Sequence, residues 1–335
     1  MKGKAFIIAE LSANHNHNFD LAVKTIEAMK EAGADAVKIQ TYTPDSLVLD
    51  CDNEYFGPIK GGLWNGIKRY DLYKEGMLPY EWQPKLQQVA KDLGMEFFST
   101  PFDLEGVDFL EKMNVPIYKI ASFEINDIPL IRYVAQKHKP MIISTGVGDA
   151  DDIQLALDTC YEEGNHQVSL LKCTSEYPAT YEQANLLTIP DMKRRFNVEV
   201  GVSDHTMGCL VPTVAVSLGA TIVEKHFILS RSVGGPDSAF SMEPREFREM
   251  VDSIRNVEKA LGTVEYGVSE RQKNKRRSLY AKKAIKAGEV FSADNIGSYR
   301  PGFGLSPKYW DDIIGKVSKR NIEFGDILTE KDLGK

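Results

Sequence analysis

The sequence predicts an α/β protein, a (β/α)8 TIM barrel followed by a small β-rich domain. Three observations carry that expectation. Eight short apolar runs rich in β-branched residues recur over the first 230 residues, and each gives way to polar or Gly/Pro-containing sequence at its C-terminal end. Amphipathic stretches separate the runs, and eight strand–helix units over about 260 residues match a barrel in count and size. After Gly262 the character changes to a charged bridge and then a short region with a weak internal repeat. An open doubly wound sheet would also alternate strand and helix, but no GxGxxG follows the first run, and polar residues close all eight.

The runs, in order, are AFIIAE (5–10), DAVKIQT (35–41), MEFFST (95–100), IYKIAS (117–122), PMIIST (140–145), SLLKCTS (169–175), VEVGVSD (198–204) and TIVEKHF (221–227). Between them, residues 20–32 (closed by Gly33), 149–161 and 207–218 carry the helical period, and 244–261 ends the series. Residues 1–265 are therefore read as the barrel, 266–277 as a linker and 278–335 as the second domain. In that domain IKAGEVFSADNI (285–296) repeats as IEFGDILTEKDL (322–333). Each copy has a Gly suited to a tight turn and a Ser or Thr (Ser292, Thr329) suited to capping a short helical turn. A core this small is marginal alone, so the domain is expected to dock on something.

Composition narrows the function classes. Lys and Arg number 41 against 48 Asp and Glu, a net charge of −7 that disfavours nucleic acid, and the basic run RQKNKRR (271–277) reads as solvated linker. Cys51, Cys160, Cys173 and Cys209 are spread with no CxxC pair, which excludes a disulfide framework or zinc ribbon and suits a reducing cytoplasm. No apolar run approaches the ~20 residues of a membrane-spanning helix.

Polar residues collect where the strands end. They include Glu10 and Asn14, Lys38 and Gln40, Ser99 and Thr100, Lys119, Ser122 and Glu124, Ser144, Lys172 and Ser175, Ser203 and His205, and Glu224, Lys225 and His226. Burying an unpaired ammonium is costly, yet the second, fourth, sixth and eighth strands each carry a lysine: Lys38, Lys119, Lys172 and Lys225. Alternate strands share a layer in this fold, so some of these lysines are expected to ring the mouth. With the hydroxyls of Ser99, Thr100, Ser122, Ser144 and Ser203 they suit a phosphate plus a carboxylate. The bland alternative is internal pairing with Glu10, Glu124 and Glu224. His205 and His226 close adjacent strands and are read as sharing one divalent cation, Mn, Mg, Co or Zn, with positions left open for substrate and water. His15 and His17 stay unassigned.

The blocks IIAELSANHN, VKIQTY, FFSTPFD, KIASFE, STG, KCTSEYP, GVSDHT, EKHF and GPDSAFSM, in this order, resemble the sialic acid synthase family, and the tail RRSLYAKKAIKAGEVFSADNI…RPGFG resembles its antifreeze-like (SAF, β-clip) domain. The resemblance implies a metal-dependent transferase that condenses phosphoenolpyruvate with an amino-sugar aldehyde and releases phosphate. It also implies a domain-swapped homodimer in which the tail of one chain covers the barrel mouth of the other. By motif, His205 and His226 would bind the metal. Lys38, Thr100, Lys119, Ser122, Ser144 and Ser203 would hold phosphoenolpyruvate. Gln40, Tyr177, Asp237 and Phe240, with Ser175 beside them, would face the sugar, and Arg300 would reach its N-acetyl group from the tail. Glu124, then Glu10, would manage the protons of water. Residues 60–82 and Ser12 resemble the pseudaminic acid branch, which uses 2,4-diacetamido-2,4,6-trideoxy-L-altrose; Ser12 and Ser175 depart from the neuraminate pattern. N-acetylneuraminate or legionaminate synthesis is the alternative. A Schiff-base aldolase using one of the four lysines, or a sugar-binding module on an inert barrel, would be the competing classes.

Overall fold

The computed structural model describes residues 3–333, so the outer ends of both predicted domains lie outside the described residues. The chain divides after Gly262 into two compact units.

The first unit is a closed parallel barrel of eight strands. They are β1 (Phe6–Glu10), β2 (Ala36–Thr41), β3 (Glu96–Pro101), β4 (Tyr118–Ile120), β5 (Met141–Ser144), β6 (Val168–Cys173), β7 (Glu199–Asp204) and β8 (Ile222–His226). β8 returns to pair with β1, Phe6 opposite Ile222 through Glu10 opposite His226. Each run has the β-branched residues that a strand covered on both faces requires.

Helices follow the strands, and their ends are chemically marked. Asn18, Asp103, Asp127 and Asp149 cap Phe19–Glu31, Leu104–Lys112, Ile128–Ala135 and Ala150–Glu162, each accepting from the backbone N–H of the first helical turn. The final helix, Pro244–Leu261, starts on Pro, stops at Gly262 and buries Phe247, Met250, Val251 and Ile254.

Strand parity sorts the side chains. Ile8, Ala36, Phe98, Ile142, Leu171 and Ile222 point inward and form an apolar plug at the lower end of the barrel, with Phe6 and Ile117 against it. Each fully buried Ile, Leu or Phe there contributes ~1.5–3 kcal/mol. Two residues further along every strand lies the next inward layer, and it is polar. Residues of opposite parity, such as Ile7, Val37, Ile120, Ile143 and Val223, face the helices and make the main core.

The longest strand-to-helix connection follows β2. Residues 42–82 hold the helices Pro44–Leu47 and Arg69–Gly76 and a strap between them, closed by the Pro58–Lys68 bridge and the bonds Ile59 N–H to Ile67 O and Gly66 N–H to Ile59 O.

The second unit has its own core of Leu279, Ala281, Ile285, Phe291, Ile296, Leu305, Ile313, Ile322 and Leu328 around the antiparallel pair β9 (Ser278–Ala281) and β10 (Ile296–Tyr299). Its internal repeat is structural. Ile285 and Ile322, the first residues of the two copies, exchange N–H···O bonds of 2.8 Å with each other. The matching glycines Gly288 and Gly325 have φ of 94° and 87°, which a side chain would strain. Gly288 donates to Ser318 O and Gly325 to Ala281 O, while Phe291 donates to Lys316 O and Leu328 to Leu279 O. Asn295 and Asp332 each reach back to the N–H of Ser292 and Thr329. The two copies are therefore related by a local two-fold arrangement. The basic bridge is not wholly irregular: Ser269 caps a helical turn at Glu270–Lys273.

Candidate active site

The polar inward layer occupies the upper half of the barrel. Odd strands supply Glu10, Thr100, Ser144 and Ser203; even strands supply Lys38, Lys119, Cys173 and Glu224. All eight are buried. Lys38 forms an ion pair with Glu10, lies 4.0 Å from Glu224 and donates to Thr100 Oγ1 at 3.2 Å. Lys119 donates to Ser144 Oγ at 2.6 Å and to Ile120 O, with Glu224 4.0 Å away. Ser203 donates to Glu224 Oε1 at 3.0 Å.

Burial sets the protonation behaviour of this layer. It pushes Glu10 up to about 7, with Lys38 opposing and Glu224 adding to the rise. Burial acts on Glu224 in the same sense, but Lys119 and Lys38 outweigh it and hold Glu224 below the ordinary value. Burial lowers Lys119; in Lys38 the same penalty is overcome by Glu10 and Glu224.

Of the four strand lysines, two face the mouth, Lys38 and Lys119. Lys172 and Lys225 have the opposite parity from the inward Leu171, Cys173, Glu224 and His226, and both leave the lumen. Lys225 is fully buried outside it, paired with Asp204 and bonded to Thr206 O. Lys172 donates to Thr174 Oγ1 and Gln183 O and lines a cleft of about 700 Å³ beside the helix Thr188–Phe196, whose wall also includes Gly146, Cys173 and Ser175. Ser99 also faces outward, bonded to Thr41 and Ile39 O, and cannot serve an anion in the mouth.

Above the polar layer stands a cluster of rings. His205 and His226 have centroids 5.2 Å apart, and Tyr177 and Phe240 pack against both. His205 Nδ1–H donates to Thr174 O at 2.8 Å; burial works to lower the ring's pKa, but Cys173 and the bond to Thr174 O outweigh it and raise it. His226 Nδ1 is buried with no hydrogen-bond partner, 3.8 Å from Asp237 Oδ2, and burial together with His205 and Lys38 keeps the ring neutral. Two fixed imidazoles, the His226 ring kept neutral, fit a divalent cation, which would compete with a proton for His205. Among the described residues no set of three or more His, Cys, Asp or Glu is placed to hold one, so a cation here would complete its shell from substrate and water.

Glu124 follows β4 on the turn Ser122–Glu124. Its Oε2 is buried without a partner, and burial pushes the carboxyl up to about 7, Lys119 opposing and Asp127 adding. Ser122 Oγ accepts from Gly146 N–H at 3.1 Å. A Cβ on Gly146 would lie 2.2 Å from Ser175 Oγ and 2.9 Å from Ser122 Oγ, so only glycine lets the β5 loop lie against these hydroxyls. Gln40 donates to Ser12 Oγ, which in turn donates to Asp237. Arg300 lies on the second unit, exposed, before a cis Pro301.

Several residues escaped the sequence reading. Cys173 was legible from parity with Leu171. Burial alone would raise its thiol, but His205, Ser122 and Lys119 bring it down to about 7. Trp64, at the end of the β2 strap, donates Nε1–H to Pro236 O at 3.0 Å and has its ring 5.8 Å from Tyr177; nothing in the sequence marks that contact. The His-x-His segment is no metal tract: His15 is wholly buried, its Nδ1 accepting from the His17 N–H, and burial lowers it to about 4. His17 has φ of 48°, in the left-handed region that favours glycine.

Comparison with known proteins agrees with this geometry. The NeuB family model matches residues 25–266 and the SAF domain model residues 276–334. A pseudaminic acid synthase of Campylobacter jejuni is 48% identical over 332 residues, covering 98% of this chain and 96% of that one. A pseudaminic acid synthase of Helicobacter pylori is 41% identical, with 98% and 97% covered. The crystal structure of an N-acetylneuraminic acid synthetase from Leptospira borgpetersenii in complex with citrate superposes with a TM-score of 0.72 at 29% identity, covering 80% of this chain and 89% of that one.

Proposed function

The chain belongs to the NeuB family, and on that premise we propose that it condenses phosphoenolpyruvate with 2,4-diacetamido-2,4,6-trideoxy-L-altrose and water to give pseudaminic acid and phosphate. The observation that carries the reading is the stacking of two layers in one mouth: a floor of Lys38, Lys119 and three hydroxyls for a small anion, under a pair of imidazoles and aromatic rings. The choice of sugar is supported by the identity to the two pseudaminic acid synthases.

Lys38, Lys119, Thr100, Ser122, Ser144 and Ser203 hold the phosphate and carboxylate of phosphoenolpyruvate by charge-assisted hydrogen bonds. Gln40, Ser175, Tyr177, Asp237 and Phe240 seat the open-chain sugar so that its aldehyde carbon meets carbon 3 of phosphoenolpyruvate; the enol π pair forms the carbon–carbon bond, the carbonyl π pair moves onto the aldehyde oxygen, which takes up a proton from solvent, and carbon 2 is left electron-poor. Water adds to carbon 2, and Glu124 takes its proton; its free Oε2 and pKa near 7 suit the task better than Glu10, already engaged with Lys38. The tetrahedral carbon then expels phosphate by carbon–oxygen cleavage, and Lys38 and Lys119 neutralise the leaving group. A divalent cation (Mn, Mg or Co) held by His205 and His226 would supply Lewis acidity at the aldehyde oxygen.

The second unit of one chain lies over the mouth of another in a domain-swapped homodimer and brings Arg300 to the N-acetyl group. The SAF match and the exposure of Arg300 support this. Four unpaired cysteines, and no helix among the described residues long and apolar enough to cross a membrane, suit a cytoplasmic site of action.

The test is phosphate release from phosphoenolpyruvate with the trideoxy-altrose, N-acetylmannosamine or the legionaminic precursor, each with and without EDTA. Release with the first sugar, lost on chelation and restored by Mn, is expected. Turnover of N-acetylmannosamine alone overturns the substrate reading, and undiminished turnover in metal-free enzyme overturns the role of the imidazoles.

A further inference from the structure

Ser12 is buried in the loop after β1 with φ of 49°, a left-handed conformation that glycine adopts freely and a residue with a Cβ does not. Strain of this kind persists where the surroundings over-determine it, and it clusters at functional sites. The surroundings here are specific. The Ser12 hydroxyl donates its one proton to Asp237 Oδ2, in the loop after β8, and accepts from Gln40 Nε2 at 3.3 Å, at the end of β2. The next N–H, of Ala13, reaches the same Asp237 oxygen at 3.4 Å.

These bonds decide how two other side chains face the mouth. Because Gln40 donates its Nε2–H to Ser12, its amide orientation is fixed and Oε1 is left without a protein partner among the described residues. Because Asp237 Oδ2 is held by Ser12, the carboxylate is kept from turning onto the His226 ring 3.8 Å away, and Oδ1 is left without a protein partner among the described residues. One hydroxyl thus sets out two acceptor oxygens, one neutral and one charged, near the ring cluster. Acceptors so placed match the hydroxyl and amide N–H donors of an amino sugar and offer nothing to phosphoenolpyruvate, whose oxygens are acceptors themselves.

We propose that Ser12 is a positioning residue for the sugar substrate, orienting Asp237 and Gln40 through its hydroxyl and keeping a strained backbone to do so. The inference rests on the function proposed above. Its test separates hydroxyl from backbone: Ser12→Gly loses the hydroxyl and relieves the strain, whereas Ser12→Ala loses the hydroxyl and keeps it.

Steady-state kinetics with each substrate varied should show KM for the sugar raised about tenfold or more in both variants, as for loss of a hydrogen bond to a charged group, with KM for phosphoenolpyruvate within about twofold of wild type. Thermal melting should rank Ser12→Gly above Ser12→Ala. In an Asp237→Asn background, adding Ser12→Gly should change the sugar KM by less than about twofold, because the two act as a unit. Wild-type sugar KM in both variants overturns the proposal, as does impairment of the alanine variant alone, equal losses for both substrates, or full additivity with Asp237→Asn. If the wild type turns over a different amino sugar, the substrate reading fails by itself, and the variants are scored on the sugar that is used.

Discussion

Glu124 combines a buried, unpartnered carboxylate oxygen with a pKa pushed up to about 7, the charged neighbours being Lys119 and Asp127. A carboxyl raised from its ordinary 4.5 in the fold contributes stability that is full below about pH 4.5 and is lost as pH climbs through about 7. The shift amounts to roughly 3 kcal/mol at most. Glu124→Gln should therefore melt progressively higher relative to wild type between pH 5 and pH 8, while turnover falls about 100-fold or more through loss of the proposed general base. Melting curves at four pH values check the first half; a difference independent of pH would remove Glu124 as the group titrating there. The carboxylate itself was legible, since Glu124 stands two residues past Ser122 at a strand end. Its free oxygen was not, because orphaned atoms depend on what every neighbour has already bonded. The reverse holds for His15, which the sequence left unassigned and to which complete burial and the bond from the His17 N–H give a structural role.

At the scale of elements, period-two alternation decides what the mouth contains. All eight strands were legible from their apolar runs, and parity with Leu171 and Glu224 was enough to send Lys172 and Lys225 out of the lumen. A list of polar strand ends overlooks that rule, so it cannot say which of the four lysines ring the mouth, and it counts Ser99 among the anion-binding hydroxyls although that side chain faces outward. The strap after β2 lay beyond such reasoning. Its turns are legible in Gly61, Gly62 and Gly66, but its seat against Tyr177 and Pro236 is fixed only by tertiary contact. Trp64 covers one side of the ring cluster with an apolar face, which suits a sugar that lacks a 6-hydroxyl. Trp64→Ala should raise the sugar KM about tenfold, and Trp64→Phe, which keeps a ring but drops the bond to Pro236 O, only a few-fold. Sugar titrations at saturating phosphoenolpyruvate check both; an unchanged KM in the alanine variant would place the strap outside the sugar site.

For the whole molecule, a net charge of −7 coexists with a mouth whose buried layer holds two lysines against two carboxylates, so average charge excluded a polyanion without excluding a small one. If the second unit serves the barrel of another chain, Arg300→Ala and Glu124→Gln chains, each inactive alone, should recover about a quarter of wild-type turnover after random reassortment into dimers. Activity assays on verified heterodimers check this, and no recovery would argue for a tail that serves its own barrel. The duplication inside that unit bears on the same point. Residues 279–296 recur as 316–333, with Ile285 matched to Ile322, Gly288 to Gly325 and Phe291 to Leu328. A copied framework says everything twice, whereas the single substrate contact proposed for Arg300 asks for one arginine. Only the stretch that joins the copies, 297–315, is spoken once, and Arg300 belongs to it. Broken symmetry, more than any single motif, marks where this small unit departs from scaffold, and its evolution would show as change in the joining stretch while the mirrored halves hold still.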